Sequence, residues 1–308
     1  MGGHVNSDLR DLVADLDVHC QFSVPLGSLT WYGVGGRAEV LAHPANTAQL
    51  TALVERCRDR RVRLYVFGHG ANLLVSDGGV NGIVVQLDAP GFTDMSINGN
   101  RVTAGAGYDL MKLVLKTARA GLGGLEVVAG IPASIGGAVR MNAGGAFGEI
   151  GSAVGGVRVV ADTGQLDAHD RDDLVFGYRW SNIVDPFIIE AQFELTPGDP
   201  VALMRRVKEI FLYKKSNQPM RASSAGCAFK NPVSVSGGGA TAGQLIERAG
   251  LKGFTIGGAS VSPLHANFVV VDQRSGRADD IKAVIDHVQM VVRDKFGVDL
   301  KREVVVWP

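Results

Sequence analysis

Between Gly121 and Gly151 the chain carries too much glycine to sustain a long helix or strand, because ordering glycine costs more backbone entropy than ordering any other residue. Glycine makes up 41 of 308 residues, without the strict period of a collagen. At the same time 46% of the residues are hydrophobic, which excludes a disordered chain. The glycines are therefore expected at tight turns and close backbone approaches, and 121–151 reads as a folded loop wrapped around something.

A chain of 308 residues exceeds the usual size of one domain, so two or three packed units are expected. Lys plus Arg and Asp plus Glu each number 31. That balance leaves no broad field to attract a nucleic acid or an anionic membrane, and any anionic ligand must be held by a few placed cations. Cys20, Cys57 and Cys227 form no CxxC pair, as suits a reduced, cytoplasmic setting. The opening residues lack a basic segment followed by an apolar core, so no secretory signal is expected. No apolar run is long enough for membrane insertion.

Asn46 is placed to cap a helix carrying Leu50, Leu53, Val54 and Cys57 on one face, and 63–67 and 83–87 read as strands. A strand over 101–104 and a helical face of Leu110, Leu113, Val114 and Thr117 follow, then strands at 157–161 and 188–195. Pro197-Gly198-Asp199-Pro200 is the clearest linker, with a helix over 201–213 beyond it. Ile281, Val284, Ile285, Val288, Val291, Val292 and Phe296 trace one face of a long helix, and 303–306 reads as a strand.

Four blocks carry candidate chemistry. Gly68-His69-Gly70-Ala71-Asn72-Leu73 follows a strand directly, so its backbone N–H groups can face a pyrophosphate. It lacks the third glycine of G-x-G-x-x-G and the ending of a P-loop, and an ordinary tight turn reads equally well. Gly130-Ile131-Pro132-Ala133-Ser134-Ile135-Gly136-Gly137-Ala138 combines a stiff Ile-Pro pair with glycines that permit close approach to a flat ligand edge or a phosphate; a structural loop is the alternative. Tyr178-Arg179-Trp180-Ser181 offers a planar guanidinium fork suited to a carboxylate, or a surface ion pair. Ala225-Gly226-Cys227-Ala228-Phe229-Lys230-Asn231 places a proton donor, a cation and an amide after a glycine, although small buried cysteines are common.

In that order the blocks resemble those of the UDP-N-acetylenolpyruvoylglucosamine reductases, flavoenzymes of bacterial cell-wall precursor synthesis. The resemblance runs from about Leu26 to Val306 and is to the shorter variety, which lacks an extra substrate-covering loop. It implies an α+β fold: a two-subdomain FAD-binding fold of the vanillyl-alcohol-oxidase/PCMH type over 1–88 and 89–200, then a C-terminal α/β substrate-binding domain over 201–308.

The implied reaction reduces UDP-N-acetylglucosamine enolpyruvate with NADPH as hydride donor and non-covalent FAD as cofactor, without a metal. FAD would be held by Gly68, His69, Gly70, Ala71, Asn72, Leu73, Gly130, Ile131, Pro132, Ser134, Ile135, Gly136, Gly137 and Ala138. Arg179, Cys227 and Glu303 would be catalytic, and Tyr178, Arg179, Lys215 and Asn231 would bind substrate. Lys214, beside Lys215 near a helix end, reads as solvated. His265 and Asn267 read as scaffold for the Cys227 segment.

The chain departs from the family pattern at Ala71 and Cys227, where serine is usual, at Ala133, where glycine is usual, and at Pro263-Leu264. Two rival functions stay open. One is another flavin-dependent oxidoreductase of the same fold, with His69 as a covalent flavin ligand. The other is a nucleotide-binding protein that has lost catalysis.

Overall fold

The computed structural model describes residues 7–232 and 239–308; the opening residues, on which the expectation about a signal rests, fall largely outside them. Among the described residues the chain divides into two compact units, each with its own apolar core. The first comprises Met1–Val24, Ala38–His69 and Asn81–Tyr213, and the second Pro25–Arg37, Gly70–Val80 and Lys214–Pro308. Segments 1–88 and 89–200 each contain one of the two large sheets, but 25–37 and 70–80 belong with the C-terminal unit.

The first sheet orders His19–Val24, Ala38–His43, Val80–Gln86 and Leu64–Phe67, the last two parallel through Leu64↔Ile83. The helix Thr47–Asp59, between the strands Ala38–His43 and Leu64–Phe67, buries Leu50, Leu53, Val54 and Cys57 in the core of this unit. Asn46 starts it as expected, its side chain accepting from Gln49 N at 3.1 Å. Burial pushes the Cys57 thiol up to about 12 and the Cys20 thiol to about 11, so both stay protonated near neutral pH.

The second sheet is antiparallel, in the order Leu166–Asp170, Val154–Val160, Phe187–Glu194, Arg101–Gly105, Met95–Asn98. The helix Leu110–Arg119 buries the expected face in the same core, with Thr117 satisfied by donating to Leu113 O at 3.0 Å. The glycine-rich stretch behaves as its composition requires: its longest element is the six-residue helix Ile135–Arg140. The expected linker is instead a paired segment. Thr196–Pro197 bonds to Leu122–Gly123, and Gly198 N donates to Gly121 O at 2.8 Å, because two adjoining loops satisfy each other's backbone groups.

In the second unit the helix Ala278–Phe296 buries Ile281, Val284, Ile285, Val288 and Val292. Phe296, placed on that face by the sequence, is exposed in the last turn, which Gly297 N closes by donating to Arg293 O at 2.8 Å. Asp77 accepts from Ala278 N and Asp279 N, satisfying two donors that every helix start leaves open. A small antiparallel sheet of Thr255–Ile256, Ala259–Val261 and Val269–Val271 packs beneath this helix. The final strand is Val305–Trp307, parallel to Leu73–Val75. Glu303, read as part of that strand, precedes it, because its N–H bonds elsewhere, to Ala228 O at 2.8 Å.

Candidate active site

Within the first unit the strand Leu64–Phe67 delivers Gly68 and His69 to the wall of a cavity of about 240 Å³. Ser134, Gly136 and Gly137 line the same cavity. The two distant blocks meet closely: a Cβ on Gly68 would stand 2.6 Å from Ser134 Oγ, so only glycine leaves that space open. Ser134 caps the helix Ile135–Arg140 from the other block, accepting from Gly137 N at 3.4 Å. His69 Nδ1 lies 3.7 Å from Asp109 Oδ2, too far for a hydrogen bond.

The other residues assigned to the cofactor are placed differently. Ile135 and Ala138 have their side chains in the apolar core, which leaves only their backbone to meet a ligand. Gly130, Ile131 and Pro132 are half-buried and do not line the cavity, and Gly130 N donates to the thioether Sδ of Met111 at 3.4 Å. Gly70, Ala71, Asn72 and Leu73 belong to the second unit. There Gly70 O accepts from Trp31 N, Leu73 pairs with Val305, and Asn72 Nδ2 donates to Glu303 O at 3.2 Å.

Sequence reasoning missed Gln86, Leu87, Asp88, Gly107 and Arg140, which also line the cavity. Gly105-Ala106-Gly107 immediately after a strand was the available signal, since a Cβ on Gly107 would collide with Leu87 O. Arg140 donates to the carbonyls of Ile183, Asp185 and Pro186. Burial lowers its pKa, against the charge of Asp185, and a guanidinium stays charged even so. Close-set glycines, an imidazole and a hydroxyl suit the phosphate-bearing part of a dinucleotide. The cavity is below the roughly 300–1,000 Å³ of drug-sized sites, so it accommodates part of such a ligand.

Tyr178 and Arg179 form the turn of a hairpin between Phe176–Gly177 and Trp180–Ser181, also in the first unit. Arg179 takes φ +55°, a left-handed conformation uncommon for a side chain of its size. Its guanidinium carbon sits 4.9 Å from the centre of the Tyr178 ring, and Nη1 lies 3.9 Å from Glu149 Oε1. The arginine side chain is only 15% exposed, unlike an ordinary surface ion pair.

In the second unit, Cys227 and Phe268 form an antiparallel bridge, as do Phe229 and Arg302. Lys230 N donates to Lys301 O and Glu303 N to Ala228 O, both at 2.8 Å, so the Cys227 segment and Glu303 are held side by side through the backbone. Asn267 grips the same segment as the scaffold expected of it: Oδ1 accepts from Phe229 N at 3.0 Å and Nδ2 donates to Phe229 O at 2.8 Å. His265 Nδ1 accepts from Asn267 N at 3.2 Å, and burial lowers its pKa. Asn231 Oδ1 accepts from Ala242 N at 3.1 Å. The two lysines reverse the sequence expectation about solvation: Lys214 is buried and Lys215 is exposed, because 214 falls on the inward side of the helix Pro200–Asn217.

Residues 38–167 match the family described as FAD binding domain, and residues 218–307 match the UDP-N-acetylenolpyruvoylglucosamine reductase C-terminal domain. The UDP-N-acetylenolpyruvoylglucosamine reductase of Heliobacterium modesticaldum is 40% identical over 284 residues, covering 92% of this chain and 88% of that one. The chain belongs to the UDP-N-acetylenolpyruvoylglucosamine reductase family. The Moorella thermoacetica reductase is 36% identical over 305 residues, 97% of this chain and 98% of its own. The crystal structure of the Thermus caldophilus reductase superposes with a TM-score of 0.79 at 37% identity, covering 94% and 99% of the two chains.

Reductases of this family are FAD-dependent oxidoreductases, and the α+β fold with an FAD-binding domain ahead of the reductase C-terminal domain agrees with the sequence reading. Cys227, Asn231 and Glu303 fall inside the matched C-terminal domain; Tyr178, Arg179 and Lys215 fall outside both matched spans. Among the described residues no helix is long and apolar enough to cross a membrane.

Proposed function

We propose that this chain reduces UDP-N-acetyl-3-O-(1-carboxyvinyl)-glucosamine to UDP-N-acetylmuramate in the cytoplasm, for peptidoglycan synthesis, with NADPH as hydride donor and non-covalent FAD. The observation that carries the reading is the backbone pairing that sets Glu303 beside the Cys227 segment, with Glu303 N bonded to Ala228 O at 2.8 Å. A carboxyl group next to a proton donor is what this reduction requires of a protein. FAD, when bound, supplies the hydride chemistry, and Gly68, His69, Ser134, Gly136 and Gly137 would hold its phosphate-bearing part.

Hydride added to the terminal carbon of the enolpyruvyl group pushes charge into the carboxylate, so the task of the side chains is to stabilise an enediolate. Arg179 presents a planar fork to it, and Glu303, protonated, donates a hydrogen bond. Cys227 then delivers the Sγ proton to the neighbouring carbon, and the thiolate is reprotonated from water. Tyr178 stacks beneath Arg179, while Lys215 and Asn231 hold the diphosphate.

The test is a visible spectrum followed without oxygen. NADPH should bleach a bound flavin, and the enolpyruvyl sugar should restore its colour. Bleaching that oxygen reverses and the sugar does not would point to another oxidoreductase. Nucleotide binding without bleaching would point to a chain that has lost catalysis.

A further inference from the structure

Asn142 is almost fully buried at 1% exposure and adopts φ +44°, left-handed backbone that few residues other than glycine tolerate. Its amide makes three bonds to two segments distant from each other in the chain, 149–151 and 177. Oδ1 accepts from Gly151 N at 2.9 Å, and Nδ2 donates both to Gly177 O at 2.9 Å and to Glu149 Oε2 at 2.7 Å. Gly177 is the residue before Tyr178 in the hairpin turn, and the other oxygen of Glu149 faces the Arg179 guanidinium.

The surroundings are built for this contact. A Cβ on Gly151 would stand 2.5 Å from the Phe176 ring and 2.7 Å from Asn142 Oδ1, and one on Gly144 would run into Glu149. Ser181, on the far strand of the hairpin, donates to Arg140 O at 2.9 Å. The hairpin is thus anchored on both strands to the segment that leaves the helix Ile135–Arg140.

We infer that Asn142, through Gly177 and Glu149, is the positioning residue that holds Arg179 in the conformation needed to receive the substrate carboxylate. The inference rests on the carboxylate-binding role proposed for Arg179. Orientation, rather than charge, is what Glu149 contributes: at 3.9 Å, with Glu149 36% exposed, the pair is screened and weak. A guanidinium binds a carboxylate well only when both of its donors are aligned. Freeing the turn therefore costs carboxylate recognition while leaving the nucleotide end of the ligand untouched.

The experiment compares the binding of two ligands to the FAD-loaded enzyme by calorimetry: UDP-N-acetylmuramate, which carries the carboxylate, and UDP-N-acetylglucosamine, which does not. Asn142→Gly removes the three bonds yet keeps the left-handed backbone unstrained. It should weaken the first ligand on the order of tenfold and leave the second unchanged, with flavin content as in the wild type. Glu149→Ala, which spares the two backbone partners of Asn142, should shift binding in the same direction by less, and serves if Asn142→Gly does not fold.

Equal weakening of both ligands would mean a merely structural role and would overturn the inference. Arg179→Lys separates the two ideas. If it abolishes the preference for the carboxylate ligand while Asn142→Gly and Glu149→Ala keep it, the positioning role fails and the role of Arg179 stands. If Arg179→Lys keeps the preference, both fail.

Discussion

Cys227 stands where the family pattern has serine, and its backbone is fixed from two sides, by the bridge to Phe268 and by the pairing of the next residues with 301–303. Replacing it should therefore leave the loop intact and change only the proton donor. Cys227→Ala is expected to retain FAD and its reduction by NADPH while slowing reoxidation by substrate about a hundredfold. Cys227→Ser should keep substantial activity. Stopped-flow absorbance of the two half-reactions measures both, and near wild-type turnover in Cys227→Ala would remove the thiol from the mechanism. His265 supports the same loop as a neutral acceptor, with burial, and secondarily the charge of Lys252, holding its pKa below the ordinary value. The folded chain thus takes up this proton at lower pH than the unfolded one. The stabilisation is complete above the unfolded value of about 6.5 and is lost as pH falls through it towards the folded value. Urea midpoints at pH 7.5 and 5.5, conditions chosen to lie about one unit either side of that value, should differ less in His265→Gln than in the wild type. An unchanged difference would assign the acid sensitivity to other groups.

At the level of elements, termini decide which segments hold. The helix Thr47–Asp59 begins on a side-chain cap, and Asn46→Ala should cost about 1 kcal/mol in urea unfolding, with the m-value unchanged. The strand Val305–Trp307 has a larger role, since it supplies the partner for Leu73–Val75 and the carbonyl of Trp307 that receives both Ser76 N and Ser76 Oγ. Ending the chain after Val304 preserves Glu303 but exposes those donors to water. Hydrogen exchange at Ser76 should then accelerate by about tenfold or more, as expected when a buried ladder becomes an open edge. Exchange at wild-type rates would show that Leu73–Val75 is held by its other neighbours.

On the scale of the molecule, two separate apolar cores mean that a ligand of one unit need not stabilise the other by burial alone. If FAD is held as proposed, by backbone glycines, His69 and Ser134, it needs no covalent bond, and acid precipitation should release all the yellow colour from the protein. Colour retained on the pellet would make His69 a covalent ligand. Because bound FAD stabilises only the folded state, adding it at a hundred times its Kd should contribute about 2.7 kcal/mol. The melting temperature should rise with concentration accordingly, and a flat response would argue against a folded-state FAD site.

Periodicity and capping act within a few residues, and for that reason the helices at 47–59, 110–119 and 278–296 and the strands at 64–67, 80–86, 101–105, 154–160 and 187–194 were legible in the chain itself, whereas those at 19–24, 38–43, 95–98 and 166–170 were not. So was the irregularity of 121–151, since glycine's backbone entropy is a local property, and so was the order of the four blocks. Side-chain hydrogen-bond partners far apart in sequence carry no such signature. The passage of 25–37 and 70–80 into the C-terminal unit, the pairing of Glu303 with Ala228, and the joining of 149–151 to Gly177 by Asn142 were settled only when the chain had folded. Lys214 and Lys215 show the same division on a single turn. Two adjacent lysines are equivalent by composition, and the direction each one faces, hence which is buried and which is left to water, depends on what packs against the helix.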